Sequence, residues 1–194
     1  MKTLLITGFD SFDGASVNPS WEAVSLLPEQ IGNYTLYKFK LPTIYATAPA
    51  LVLEKAAALK PDVIISVGQA GKRDAVTPER IAVNIRDARI CDNAGVFCTG
   101  EKILDHGDAA FFATVPVEAM RDAILAKSIP AAVSNTAGTF VCNDVLYSLL
   151  HRYRGTSVRC GFIHVPWLPE QGEPSLELEK TVAALIAAIG ALDA

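Results

Sequence analysis

Cys142 stands in "SNTAGTFVCNDVLYSLLHRYR", residues 134 to 154, where an apolar run ends and an amphipathic run begins. A cysteine in the first turn of a helix meets the positive end of the helix dipole and unpaired backbone N–H groups, and both favour thiolate over thiol. Such a position makes a nucleophile reactive. The preceding "TAGTF" carries Gly138 and small side chains, which let the backbone approach a substrate closely. A plainer reading stands beside this one: free cysteine is among the most buried residue types, and Cys142 is then a small hydrophobe of the core.

A thiol nucleophile needs a base that can return a proton to the leaving group. Of the three histidines, His164 in "GFIHVPWLPEQ" is the best candidate, because it lies near the C-terminal end of an apolar strand. His106 in "LDHGD" and His151 in "LLHRYR" have polar flanks and read as surface residues. The third member of such an apparatus is a carboxylate that orients the imidazole. Glu79 in "GQAGKRDAVTPERIAVN" follows a buried strand and a glycine turn; its alternative is an ordinary ion pair with Arg80 or Arg86. Ligands of parallel α/β sheets gather at the carboxyl ends of strands. If the strands ending at Asn135 and Val165 are neighbours, Cys142 and His164 share one rim.

The elements that must position these groups alternate between short β-branched runs and longer helical ones, which predicts an α/β fold. The expected architecture is one domain, residues 1–194, built on a mostly parallel twisted sheet with helices on both faces. Strands are predicted over 3–7, 34–42, 61–71, 131–135 and 159–166, with a further extended segment over 79–90. Helices are predicted after Asn18, which can cap a turn opened by Pro19, over 44–60 with a true start near 48, and over 116–128, 143–153 and 175–192. Residues 91–116 read as a long loop or an irregular β excursion, and loops of that length are often functional.

Composition sets outer limits. A chain of 194 residues is long enough to bury roughly 70% of its unfolded surface. With 51% hydrophobic and 20% charged residues it is too apolar to stay disordered. A net charge of −4 offers no basic surface to a phosphate backbone, so no nucleic-acid partner is expected. The first apolar run is too short for a signal segment and no run suits a membrane span, so a cytoplasmic protein with no membrane partner is expected. Four cysteines without CxxC spacing imply neither a disulfide framework nor a metal site.

Read together, "GQAGKRDAVTPERIAVN" and "SNTAGTFVCN" resemble the two signature segments of the pyroglutamyl peptidase I, or pyrrolidone carboxyl peptidase, family. "GFDSFDGASVNPSWEA", "LPTIY", "ARICDNAG" and "IHVPWLPEQ" are similar to further segments of that family in the same order, so the resemblance covers almost the whole chain. It implies a cysteine exopeptidase that removes N-terminal pyroglutamate from peptides through a thioester and needs no cofactor. Cys142 matches the nucleophile, His164 the base, Glu79 the orienting carboxylate, and Arg89 in "DARI" a residue beside the developing oxyanion. The substrate pocket maps onto Phe9, Phe12, Asn18, Gln69, Ile90, Phe140 and Val141. The resemblance also implies a homo-oligomer, with a tetramer favoured.

Two departures from the family's pattern fall near the substrate. Ser11 and Asp13 stand where Pro and Gly are more usual, and "VFCTGEKILDHGD" brings in Cys98. Two other readings are weighed against the peptidase. One is a non-catalytic α/β domain that binds a small ligand. The other is a nucleoside- or nucleotide-binding enzyme using the strand, glycine loop and helix start of "TLLITGFDSFDGASVNPS", although GxGxxG and GxxxxGK[ST] are both lacking.

Overall fold

Strands such as "TLLIT" and "VIISV" are apolar without alternation, so both of their faces need covering. A computed structural model describes residues 1–194 and shows how this is met. In chain order the strands are β1 (Lys2–Phe9), β2 (Gln30–Ile31), β3 (Tyr34–Leu41), β4 (Val63–Gln69), β5 (Thr77–Pro78), β6 (Ile81–Val83), β7 (Arg86–Asp87), β8 (Thr99–Glu101), β9 (Ala110–Phe112) and β10 (Arg159–Val165). The helices are α1 (Pro19–Leu26), α2 (Thr47–Leu59), α3 (Val117–Leu125), α4 (Val141–Tyr153) and α5 (Leu178–Gly190). Six strands form one sheet in the order β2-β3-β1-β4-β10-β5. Its central pairs are parallel and its two outermost strands antiparallel.

Alternate residues of each strand go to opposite faces. Leu4, Ile6, Val63, Ile65, Ile163 and Val165 pack with Val24, Met120 and Leu185 of α1, α3 and α5. Leu5, Phe9, Ile64, Cys160 and Phe162 pack on the other side with Val52 of α2 and Val145 and Leu149 of α4. This alternation settles the side to which β10 presents its histidine. His164 follows Phe162 by two residues and so points toward the α4 face.

Most predicted elements lie where the sequence puts them, and the differences have local causes. Residues 131–135 are not a strand of the sheet. They form only single bridges, Val76 with Ala131 and Glu79 with Ser134, because β5 is two residues long and ends at Pro78, leaving little ladder to extend. The strand next to β10 on that side is therefore β5. The extended segment 79–90 is broken into pieces by the excursion that follows it: β9 returns to pair with β6, and β8 with β7. Asn84 pins that excursion by accepting the Leu104 N–H and donating to the carbonyls of Leu104 and Gly107. Helix α4 begins two residues before its predicted start, with Phe140 extended ahead of it, so Cys142 does fall in the first turn.

Asn18 caps α1 as expected. Its Oδ1 accepts the Ser20 N–H at 3.1 Å and the Ser20 hydroxyl at 2.8 Å, and its Nδ2 donates to the Asp10 carbonyl at 2.7 Å. Replacing Asn18 with Ala is expected to lower stability by about 1–2 kcal/mol, measured as a lower urea midpoint at unchanged slope.

Candidate active site

The parallel register of β10 on β4 sets His164 opposite Gly68. A Cβ at position 68 would lie 2.8 Å from the Cys142 sulfur and 2.8 Å from the Phe162 ring. The nucleophile candidate thus rests against the bare backbone beside the histidine, and only glycine permits that approach. Cys142 and His164 both line a cavity of about 260 Å³ whose walls include Phe9, Phe12, Asn18, Gln69 and Phe140. On its far side His164 Nδ1 meets Glu79 Oε1 at 2.7 Å, and the carboxylate is wholly buried. With a carboxylate as partner, Nδ1 carries the hydrogen and Nε2 keeps its lone pair.

Burial by itself would raise the Glu79 carboxyl pKa. The hydrogen bonds and charges of its neighbours, His164 foremost and Arg73 among them, outweigh burial and hold it below the ordinary value. For Cys142 the balance goes the other way. Burial, joined by the Glu79 charge, pushes the thiol up to about 12, against the pull of Arg73 and of the residue's own backbone N–H. The dipole at the start of α4 therefore does not make a resting thiolate. In this dense corner desolvation is the larger effect and favours the thiol over the thiolate.

Directly after the nucleophile candidate, two fully buried polar residues fasten its helix. Asn143 accepts the Val83 N–H at 2.9 Å and donates to the carbonyls of Val83 at 2.8 Å and Ile85 at 3.1 Å. It behaves as an extra strand partner for β6, and so joins α4 to the segment that follows Glu79. Asp144 accepts from Arg86 at 3.0 Å and from the Ala46 N–H at 2.9 Å. The order Cys-Asn-Asp thus puts one reactive group and two anchors in a single helical turn.

A family model described as pyroglutamyl peptidase matches residues 1–193. The chain belongs to the pyroglutamyl peptidase family. It is 47% identical to the pyrrolidone-carboxylate peptidase of Erwinia tasmaniensis, covering 97% of this chain and 92% of that one. It is 46% identical to that of Staphylococcus aureus strain N315, with the same coverage. The crystal structure of pyroglutamyl peptidase I from Bacillus amyloliquefaciens superposes with a TM-score of 0.95 at 43% identity, over 99% of this chain and 97% of that one. The pyrrolidone carboxyl peptidase of Thermococcus litoralis does so with a TM-score of 0.94 at 38% identity, over 100% and 94%. These are cysteine peptidases, and so is this chain.

Within this member of the pyroglutamyl peptidase family, the residues matched to the pocket divide between two adjoining cavities. Phe12, Gln69 and Phe140 line both; Arg89 and Ile90 line only the second, of about 810 Å³. The Val141 side chain lines neither, being fully buried in the core. Asn18 reaches the cavity, but the α1 cap and Asp10 already occupy its polar atoms. The ion-pair partner of Glu79 is neither Arg80, which turns to Glu118, nor Arg86, but Arg73 at 2.6 Å.

Sequence reasoning missed Arg73, Gln171 and the role of Gly68. Gln171 accepts the Leu168 N–H through Oε1 at 3.0 Å, so its Nε2 is the donor to Gln69 Oε1, also at 3.0 Å. Gln69 is left with its own NH₂ for the cavity. Each of the three lies inside a segment singled out for other residues, and the usable signal was a polar or glycine residue at the mouth of a buried strand.

Gly68→Ala is expected to displace the sulfur or Phe162, lowering stability by about 1–3 kcal/mol and suppressing activity; a thermal melt and an activity assay read both. Because the folded pKa of Glu79 lies below its unfolded value, Glu79 contributes stability that is complete above about pH 4.3 and lost as pH falls through the depressed value. Melts at about pH 5 and about pH 3 should accordingly show a smaller drop for Glu79→Gln than for the parent.

Proposed function

We propose that this chain is a cysteine exopeptidase that hydrolyses N-terminal pyroglutamate from peptides, using Cys142, His164 and Glu79 through a thioester. The observation that carries this reading is the convergence of three distant residues. A buried carboxylate holds one imidazole nitrogen, and that imidazole shares a small cavity with a cysteine in the first turn of α4. On binding, the Cys142 proton passes to His164 Nε2 as sulfur attacks the carbonyl carbon of the pyroglutamyl residue. The negative oxygen that forms is met by the free N–H groups at the start of α4, which has no side-chain cap. Arg89, in the adjoining cavity, is the further charge that the family pattern assigns to this oxyanion. His164 then protonates the leaving amine, the C–N bond breaks, and water hydrolyses the thioester with His164 as base.

The cavity suits a lactam. Phe12 and Phe140, with ring centroids 5.9 Å apart, offer aromatic faces to a flat five-membered ring, and the free amide hydrogens of Gln69 face its carbonyl edge. Proline, lacking that carbonyl, leaves a buried donor unpaired and should be rejected. Ile90 borders the outer cavity, where the peptide after pyroglutamate would leave.

Neither alternative is favoured. The helix start after β1 that would face a phosphate is already satisfied by Asn18 and bordered by Phe9 and Phe12. A merely packed cysteine does not account for a buried histidine–carboxylate pair on the same cavity. The reading includes one peptidase domain over 1–194, a cytoplasmic location and a homo-oligomer, with a tetramer favoured. No helix is long and apolar enough to cross a membrane. Exposed Val96, Phe97 and Phe112 on the excursion support self-association.

The test is release of arylamine from a pyroglutamyl-arylamide. Cys142→Ser is expected to lower kcat/KM by at least about 10³-fold, with prolyl-arylamide a poor substrate for the parent. Undiminished turnover by the serine variant ends the proposal.

A further inference from the structure

Arg73 has no part in a scheme of cysteine, histidine and carboxylate, yet it meets the same carboxylate oxygen as the histidine. Glu79 Oε1 accepts from Arg73 Nη1 at 2.6 Å and from His164 Nδ1 at 2.7 Å, while Oε2 is buried with no partner. Nη1 also donates to Thr77 Oγ1 at 2.6 Å, and Nη2 to the Thr136 carbonyl at 3.2 Å, on the loop that leads into α4. The Arg73 side chain is 30% exposed and Glu79 is 0%, so the cation reaches in from the cavity that Cys142 and His164 share. A buried carboxylate whose only partner is a neutral imidazole tends to take up a proton and lose its hold on that ring. A fixed guanidinium prevents this.

We propose that Arg73 is a positioning residue of the catalytic apparatus: it keeps Glu79 ionised on the oxygen that orients His164 and ties that carboxylate to the loop entering the helix of Cys142. The proposal rests on the cysteine-peptidase reading above. Arg73 is among the groups that hold the Glu79 carboxyl down, after His164 and Ser134, and it also pulls down on the Cys142 thiol. No other charge faces the group. From β10 only His164 does so, and from α4 only Cys142, since Asp144 turns away to Arg86 and Ala46. Ser134 on the adjoining segment is neutral, Arg80 turns to Asn135 and Glu118, and Lys72 and Asp74 are exposed on the turn.

The experiment compares Arg73→Gln and Arg73→Lys in the full chain. Two titrations are followed: the Glu79 carboxyl by carbon NMR, which needs no turnover, and the acid limb of kcat/KM. In R73Q both are expected to move to higher pH by about one unit, so kcat/KM falls by up to about tenfold on the acid limb and little at neutral pH. In R73K, which keeps the charge, both stay near the parent's. A purely structural arginine would lower the thermal midpoint and leave both titrations in place, so an unmoved Glu79 in folded R73Q overturns the proposal. A lysine variant shifted as far as the glutamine one also overturns it. Should R73Q not fold, Arg73→Met takes its place: a raised Glu79 midpoint supports the assignment and a parental one refutes it. A parent protein that releases no arylamine sinks the peptidase reading instead, and the carboxyl titration still decides where the charge of Arg73 acts.

Discussion

A carboxylate with no exposure to water must be held by donors, and Glu79 is held through one oxygen, 2.7 Å from the imidazole of His164. The rest of the site is arranged around that hydrogen bond. It fixes which nitrogen of the ring carries a proton, and hence which one can accept the proton of a thiol. For the bond to exist, a strand near the sheet edge must carry the histidine and a two-residue antiparallel strand beside it must deliver the carboxylate. The pairing of His164 with Thr77 and Ile163 with Pro78 does so. The short length of β5 follows from what it delivers, since the chain needs to lie beside β10 only long enough to bring Glu79 alongside.

Cys142, the proposed nucleophile, is delivered from the other direction. Side-chain alternation along β10 turns Phe162 and His164 toward α4, and Gly68 lets the first turn of that helix descend onto the sheet. Asn143 and Asp144 prevent the helix from lifting again, because each would leave buried polar groups unpaired if it did. Close packing and low polarity raise the cost of a naked thiolate, so the same features that place the sulfur accurately also favour its thiol form.

Much of this was legible in the sequence because strand and helix periods differ and because glycine and proline mark the joints. Asn18-Pro19 announced α1, and the apolar strands β1, β4 and β10 were readable from composition alone. The segment 131–135 looked like a strand because its residues are small and apolar, but backbone pairing depends on a partner's length, which local sequence does not encode. The convergence of Cys142, His164 and Glu79 was anticipated from strand ends and motif resemblance, whereas Arg73 was not: an arginine on a glycine turn reads as solvated until tertiary structure turns it inward. The upward push of burial on the Cys142 thiol was not foreseen, for a similar reason. A helix terminus is visible in the chain, and the density of atoms around it is not.

Favouring the neutral thiol has a consequence for survival of the molecule. Peroxides attack thiolates far faster than thiols, and each step toward sulfinic and sulfonic acid is harder to reverse. Burial that pushes the Cys142 thiol up therefore favours the form of the sulfur that peroxides attack slowly.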